Sequence, residues 1–284
     1  MLVLKRLIAF VAAVAAFSAV LATGPAFAAA GIATNWQMNL QDSASPVMDD
    51  IVWFHNLLLY IIVAITLFVL ALLIIVMVKF NAKANPVPTK TTHNTLVEVA
   101  WTVIPVVILF VIAIPSFKLL FFQGSFPPPD VTIKATGKQW YWTYAYPDAK
   151  FEFDSLMLQD KERKPDQPRL LSVDNEIVVP VNKNVLVQVT GADVIHAFSV
   201  PSFGIKIDAI PGRLNETWFR ATREGTYHGQ CSELCGKDHA YMPITVKVVN
   251  DREYSAWLDQ AKKKFANTDN RPVAVATSGD RQAQ

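Results

Sequence analysis

Cysteine is scarce in this sequence: Cys231 and Cys235 are the two cysteines among 284 residues. Two cysteines cannot form a disulfide framework, and the sequence has no Cys-x-x-Cys-His motif, which excludes a covalently attached haem of the c type. Charge is also scarce, at 18% of residues with a formal net charge of +2. This balance gives no indication of a nucleic-acid partner. The role of the two cysteines must therefore be inferred from the residues around them.

Apolar runs are abundant, because 52% of residues are hydrophobic, which is more than an ordinary soluble domain needs. The first of these runs follows Lys5 and Arg6, and it ends before the small-x-small sequence Ala26-Phe27-Ala28. This pattern predicts a signal peptide over residues 1–28, cleaved after Ala28. An uncleaved third membrane helix is the alternative. Secretion would place residues 29–52 outside the cytoplasm.

Two further apolar stretches, 57–78 and 95–122, are each long enough to span a bilayer. They predict a transmembrane helical hairpin over residues 53–122. The connector between them has no acidic residue and three lysines, Lys79, Lys83 and Lys90. The positive-inside rule places this connector in the cytoplasm, so both termini are expected on the outer side of the membrane.

The pattern changes after residue 123 to short β-type runs separated by turn residues. Examples are 131–136, 177–181, 185–189 and 244–249. Regularly spaced short strands of this kind predict a β-sandwich or barrel, here over residues 123–251. A short helix through Trp257 and a polar, disordered tail from Asn267 are expected within residues 252–284.

The segment 231–242 concentrates metal-binding side chains: both cysteines, His239 and Met242, with His196 upstream at a strand-like run. Soft sulfur combined with imidazole selects copper or zinc, and a weak thioether ligand favours a copper electron-transfer site. Two thiolates can each bridge two metals, and each metal would then need one histidine. The residue count therefore matches a dinuclear site.

Three other interpretations stay open at this point. A disulfide between Cys231 and Cys235 is possible in an oxidising compartment, although it leaves His239 and Met242 unexplained. A structural zinc site with two cysteines and two histidines is the second. The third is that Met242 only fills a core.

The run Gly229-Gln-Cys-Ser-Glu-Leu-Cys-Gly236, with His239 and Met242, resembles the dinuclear copper A motif of cytochrome c oxidase subunit II of the bacterial type. Residues 208–215 (DAIPGRLN) and 139–142 (QWYW) match other stretches of that family. The resemblance extends from the first span to about Asp251. It implies a mainly β protein with membrane α-helices: an N-terminal two-helix transmembrane hairpin and a C-terminal cupredoxin-like β-barrel.

The resemblance also implies a ligand set. The two cysteines would bridge the coppers. His196 and Met242 would complete one copper, while His239 and the backbone carbonyl of Glu233 would complete the other. The Glu233 side chain would reach a magnesium ion shared with subunit I.

Further roles follow from the same resemblance. Trp140 would receive the electron from cytochrome c and the copper pair would pass it to haem in subunit I, which also holds copper B and reduces oxygen to water. Glu98, three residues before Trp101, would guard a proton-uptake channel; a glutamate snorkelling to the interface is the alternative. Subunit III and membrane lipid are further expected partners, in a bacterial inner membrane with the copper domain on the periplasmic side.

The docking face for cytochrome c is expected to be acidic, and Asp174 and Asp193 match acidic family positions. Ala145 and Lys138 depart from the family pattern, and both changes reduce the negative charge beside Trp140. Residues 123–250 contain 15 Asp and Glu against 14 Lys and Arg. We therefore expect docking to be weaker and less salt-sensitive than in strongly acidic relatives.

Other proteins use parts of this pattern. A quinol oxidase subunit II lacks the copper cysteines, and a nitrous oxide reductase needs a histidine-rich propeller that five histidines cannot supply. A copper A domain of another respiratory reductase, or a non-catalytic copper-binding protein, is the alternative function. We interpret His228 as a substitution for an aromatic residue and not as a ligand.

Overall fold

The computed structural model describes residues 31–265. The predicted signal peptide through Ala28 and the predicted tail from Asn267 lie outside the described residues. The helices are α1 (Pro46–Lys79), α2 (Thr95–Gly124) and α3 (Asp251–Phe265). The strands are β1 (Val131–Lys138), β2 (Tyr141–Tyr146), β3 (Phe151–Ser155), β4 (Ile177–Pro180), β5 (Asn184–Gly191), β6 (His196–Val200), β7 (Ile205–Ala209), β8 (Asn215–Arg220), β9 (Gly225–Cys231) and β10 (Pro243–Val249).

Both long helices begin at a side-chain cap. Ser45 Oγ accepts the N–H of Met48 at 3.0 Å, so α1 starts well before the predicted span. Asn94 Oδ1 accepts the N–H of Val97 at 3.2 Å at the start of α2. These caps satisfy backbone donors that have no partner within the helix. Segments of mean hydropathy 3.5 and 2.6 make both helices long and apolar enough to cross a membrane.

The outer ends of the two helices are attached to the β domain. Ser45 Oγ donates to the carbonyl of Phe203 at 2.7 Å, and Met48 is buried beside it. At the exit of α2, the Trp218 indole donates to the carbonyl of Gln123 at 3.2 Å. The position of the β domain relative to the hairpin is therefore fixed at both helices.

The β domain consists of two five-stranded sheets, in the orders β3-β2-β1-β5-β8 and β4-β10-β9-β6-β7. Their inner faces share a core that buries Trp142, Tyr144 and Phe198 completely or nearly so. The amphipathic helix α3 covers one end, where Trp257 packs against Tyr146 with ring centroids 5.3 Å apart. The strands β1, β4, β5 and β10 thus occur where the sequence predicts strands, and α3 where it predicts a short helix.

The second sheet brings the metal-binding residues to one end. β6 begins with His196 and β9 ends with Cys231, and their antiparallel pairing places Phe198 opposite Cys231. The loop 232–242 then joins β9 to β10. This topology brings His196 close to a loop that lies more than thirty residues further along the chain.

Candidate metal centre

Five side chains and one carbonyl converge at this end of the domain. The Sγ atoms of Cys231 and Cys235 lie 3.8 Å apart. His196 Nδ1 lies 3.9 Å from Cys231 Sγ, and the carbonyl of Glu233 lies 3.3 Å from the same sulfur. The other contacts are made by His239 Nδ1 and Met242 Sδ, each 3.5 Å from Cys235 Sγ. All six predicted copper A ligands are therefore brought together.

The chemistry of the cluster fits copper. Cys231 and Cys235 are free, and their sulfurs are well beyond the bonding distance of about 2.05 Å. Both cysteines, His196 and Met242 are buried. Two thiolates, two imidazoles and a thioether in a dry site are soft ligands, and the thioether is a ligand that zinc rarely takes. The disulfide, zinc and core-filling interpretations each account for only part of this convergence.

The two thiols differ in protonation. Burial raises the pKa of Cys231, but hydrogen bonds from His196 and from the Ala197 backbone outweigh it and lower that pKa to about 6. Burial and the neighbouring Cys231 thiolate raise the pKa of Cys235 to about 12. The charge on one sulfur thus opposes ionisation of the other, and full metal binding must displace a proton from the pair.

Asp193 holds the His196 ring. Its Oδ1 atom accepts the Nε2–H of His196 at 2.8 Å, and its Oδ2 atom accepts the backbone N–H of Gln139 at 2.7 Å. Burial lowers the pKa of His196, but the hydrogen bonds to Cys231 and Asp193 outweigh it and raise that pKa. Nε2 donates to the carboxylate and Nδ1 faces the cluster, so Nδ1 becomes a ligand nitrogen when metal binding displaces its proton.

Trp140 contacts the metal-binding loop directly. Its indole N–H donates to the carbonyl of Cys235 at 3.2 Å, and the Gln139 side-chain amide donates to the same oxygen at 2.8 Å. Gly236 makes this approach possible, because a Cβ atom there would lie 3.0 Å from the Trp140 ring. A half-buried indole is thereby connected to a buried cysteine through one hydrogen bond.

Comparisons with known proteins identify the family of the chain. A family model described as the periplasmic domain of cytochrome c oxidase subunit II matches residues 131–249, and one for its transmembrane domain matches residues 33–119. The chain is 53% identical over 241 residues to a probable cytochrome c oxidase subunit 2 from Rickettsia bellii (strain RML369-C), covering 84% of this chain and 90% of that protein.

The chain belongs to the cytochrome c oxidase subunit II family. It is also 50% identical over 240 residues to cytochrome c oxidase subunit 2 of Cereibacter sphaeroides, covering 78% of this chain and 79% of that protein. A crystal structure of the periplasmic domain of subunit II of cytochrome oxidase from Bradyrhizobium japonicum is 69% identical. The match covers 50% of this chain and 99% of the chain in that structure, with a TM-score of 0.47.

Membership of the subunit II family confirms several predictions. The fold is a two-helix membrane hairpin followed by a cupredoxin-like β domain. The chain is a subunit of a haem–copper oxidase, an oxidoreductase, and its β domain is periplasmic. The His196, Cys231 and Cys235 cluster fits a copper centre.

The remaining predicted residues lie in different places. Glu98 lies at the other end of the molecule, where its Oε1 atom accepts the backbone N–H of Asn94 at 3.2 Å. Asp174 is exposed and accepts the N–H groups of Leu156 and Asn175, so it stabilises a local turn.

Sequence reasoning missed the contacts that support the ligands. The sequence marks Gln139 only as part of a family stretch, and Asp193 only as a docking residue. The side-chain bond from Gln139 to the loop has no local signal in the sequence. The spacing of Asp193, three residues before His196, is compatible with a carboxylate–histidine pair but does not require one.

His228 makes the stability of the domain depend on pH. It is buried, its Nδ1–H donates to the carbonyl of Leu171 at 3.0 Å, and burial lowers its pKa. The unfolded chain titrates near pH 6.5, so the unfolded state binds a proton before the folded state does. The contribution of His228 to the free energy of unfolding is therefore complete above about pH 6.5. It decreases as the pH falls below that value, by up to about 1.4 kcal/mol per pH unit.

We expect a His228→Phe variant to lose less stability between pH 7 and 5 than the wild-type domain. The measurement is urea unfolding of residues 125–265 at several pH values. Equal pH slopes for the two proteins would show that His228 does not contribute to the acid sensitivity.

Proposed function

We propose that this chain accepts electrons from cytochrome c at Trp140 and delivers them through a dinuclear copper A centre to haem in subunit I, where oxygen is reduced to water. The observation that carries the proposal is the shared hydrogen bonding of Trp140 and Gln139 to the carbonyl of Cys235. It connects a partly exposed aromatic ring to a metal-binding cysteine, which is what transfer from an external donor requires.

The proposed assignment of ligands follows the family pattern. Both cysteines would hold the copper pair between them. His196 and Met242 would complete one copper, and His239 and the carbonyl of Glu233 would complete the other. When bound, the copper pair supplies a one-electron redox couple whose charge is shared over two metals. The burial of His196 and Met242 supports the proposal, because a dry and closely packed ligand set limits rearrangement on a change of charge.

Asp193 is proposed to act on the metal through His196. Its carboxylate fixes the imidazole with Nε2 protonated, so that Nδ1 stays available to copper. It also accepts the N–H of Gln139, the residue before Trp140. Asp193 therefore positions both a ligand and the electron-accepting residue, in addition to the docking role predicted for it.

The Glu233 side chain is proposed to bind magnesium at the interface with subunit I. Its backbone carbonyl faces Cys231, while the residue as a whole is exposed. The side chain is thus accessible to a partner subunit while the main chain serves the copper site. Metal analysis of an oxidase carrying Glu233→Gln, in which magnesium should be lost and copper kept, tests this role.

Both termini are proposed to lie on the periplasmic side, with the basic connector in the cytoplasm. The hairpin would contact lipid and subunits I and III. Its apolar side chains support this, because Leu67, Phe68, Phe110 and Phe121 are all more than half exposed in the isolated chain. Such surfaces need lipid or other apolar partners.

Glu98 is proposed to take part in proton uptake from the cytoplasmic side. Glu98 and Asn94 form a reciprocal cap at the start of α2. The Glu98 side chain accepts the backbone N–H of Asn94, and the Asn94 side chain accepts the backbone N–H of Val97. The cap holds the carboxylate at the cytoplasmic end of the helix. An oxidase carrying Glu98→Gln should show slower proton uptake with an unchanged copper spectrum, and unchanged uptake would remove Glu98 from the path.

Rapid mixing of the intact oxidase with reduced cytochrome c tests the main proposal. We expect the copper absorbance to bleach first and haem reduction to follow it. Haem reduction without prior bleaching of copper would show that electrons reach subunit I by another route.

A further inference from the structure

Lys237 covers the residue at which electrons are proposed to arrive. Its Nζ atom lies 5.5 Å from the centre of the Trp140 ring, within the range of a cation–π contact. The Lys237 side chain is 77% exposed. A donor that approaches Trp140 must therefore meet this positive charge.

The backbone holds Lys237 at this position. Gly236, immediately before it, has a φ of 126° and lies against the edge of the Trp140 ring. Cys235, one residue earlier, is held by the two hydrogen bonds to its carbonyl. The lysine is thus attached to a segment whose geometry the metal site itself requires.

Two carboxylates that contact residues close to Trp140 in the sequence, Asp193 and Asp154, are engaged with other groups. Asp193 accepts hydrogen bonds from His196 and from the backbone of Gln139. Asp154 accepts the Thr143 hydroxyl at 2.5 Å and lies 4.0 Å from Lys138 Nζ. Their negative charge is partly neutralised or directed inward, so it does little to offset Lys237.

Of the two lysines near Trp140, Lys237 is exposed to solvent, whereas the Lys138 side chain is 33% exposed and pairs with Asp154. Lys138 Nζ lies 5.2 Å from the ring centre of Tyr141, the neighbour of Trp140. Asp238 lies 3.8 Å from Lys237 Nζ, but a pair between two solvent-exposed groups is weak. Lys237 is therefore the exposed positive charge in contact with the Trp140 ring, and Asp238 is the carboxylate beside it.

We propose that Lys237 is a specificity-determining residue for the electron donor: it disfavours a strongly basic cytochrome c and favours one that presents a carboxylate beside its exposed haem edge. This inference rests on the proposed function, because it takes Trp140 as the point of docking. Electrostatic complementarity acts mainly on the rate of encounter and on the choice of partner. A charge at the centre of the contact has more influence than the near-neutral balance of the whole domain.

The test uses the intact oxidase with Lys237→Gln and Lys237→Glu, and a strongly basic and an acidic c-type cytochrome as donors. Lys150→Glu is the matched control, because Lys150 is exposed and follows β2 at the end opposite Trp140. Every preparation is first checked for copper content. The kcat/KM for each donor is then measured at low and high ionic strength.

We expect Lys237→Glu to raise kcat/KM for the basic donor by about 10-fold at low salt and to lower it for the acidic donor by a similar factor. Lys237→Gln should give about half of each effect on a logarithmic scale. Both changes should shrink at high salt, where charges are screened. Lys150→Glu should change either value by less than about 2-fold.

Two results would overturn the inference. The first is a Lys237→Glu effect no larger than that of Lys150→Glu, or one of the same sign for both donors. The second is an undiminished rate in a Trp140→Phe oxidase, which would remove the proposed docking point itself. The Trp140 variant thus separates failure of the proposed function from failure of the role of Lys237 alone.

Discussion

Replacing Cys231 with serine should abolish the dinuclear copper site and lower oxidation of cytochrome c by the assembled oxidase by at least about 100-fold. Cys231 is the sulfur nearest to both His196 and the Glu233 carbonyl, and hydrogen bonds from His196 and the Ala197 backbone lower the pKa of its thiol. A serine hydroxyl at this position stays protonated and cannot bridge two soft metals. Copper analysis of the purified oxidase and turnover with cytochrome c measure the two losses.

The matched control is Ser232→Ala, the adjacent residue. Ser232 is exposed and its hydroxyl contacts only the Gln230 carbonyl, at 3.5 Å, among the contacts seen in the described chain. The Ser232→Ala oxidase should keep both its copper content and its turnover with cytochrome c. A Cys231→Ser oxidase that retained two coppers per subunit II and wild-type turnover would contradict the ligand assignment.

Replacing Trp140 with phenylalanine should slow reduction of the copper site by cytochrome c by about 10- to 100-fold while copper remains bound. Phenylalanine has no indole N–H, so the hydrogen bond to the Cys235 carbonyl is lost together with part of the ring surface that a donor would contact. The ligands themselves are untouched. Stopped-flow mixing with reduced cytochrome c measures the rate, and the copper spectrum verifies the site.

Trp257→Phe is the same chemical change at the covered end of the domain, where Trp257 packs on Tyr146 and Phe151. It should leave the rate of copper reduction within about 2-fold of wild type, since the domain keeps an aromatic ring there. Equal effects of the two substitutions would mean that Trp140 contributes only to packing.

The architecture could be predicted because each of its signals is local. Apolar length identifies α1 and α2, alternation and turn residues identify strands such as β1 and β5, and the cysteine spacing marks the metal loop. Burial distinguishes the aromatic residues of this stretch: Trp142 and Tyr144 lie in the core, while Trp140 stays partly exposed. The ligand set came from the family resemblance, and the fold brings those residues together.

The remaining features depend on pairs of residues far apart in the chain. The attachment of Ser45 to Phe203 begins α1 well before its apolar run and fixes the β domain on the hairpin. The position of Lys237 over Trp140 joins a loop to a strand end nearly a hundred residues earlier. No periodicity or composition reports such contacts, because they are created by the β-sheet register.

The dinuclear copper site is tested by a copper count and an electron paramagnetic resonance spectrum of residues 125–265, expressed as a soluble domain and loaded with copper. We expect two coppers per chain and a seven-line hyperfine pattern, because one unpaired electron is shared by two equivalent copper nuclei. One copper with a four-line pattern, or a protein that retains only zinc, would contradict it and return Cys231 and Cys235 to a mononuclear or structural role.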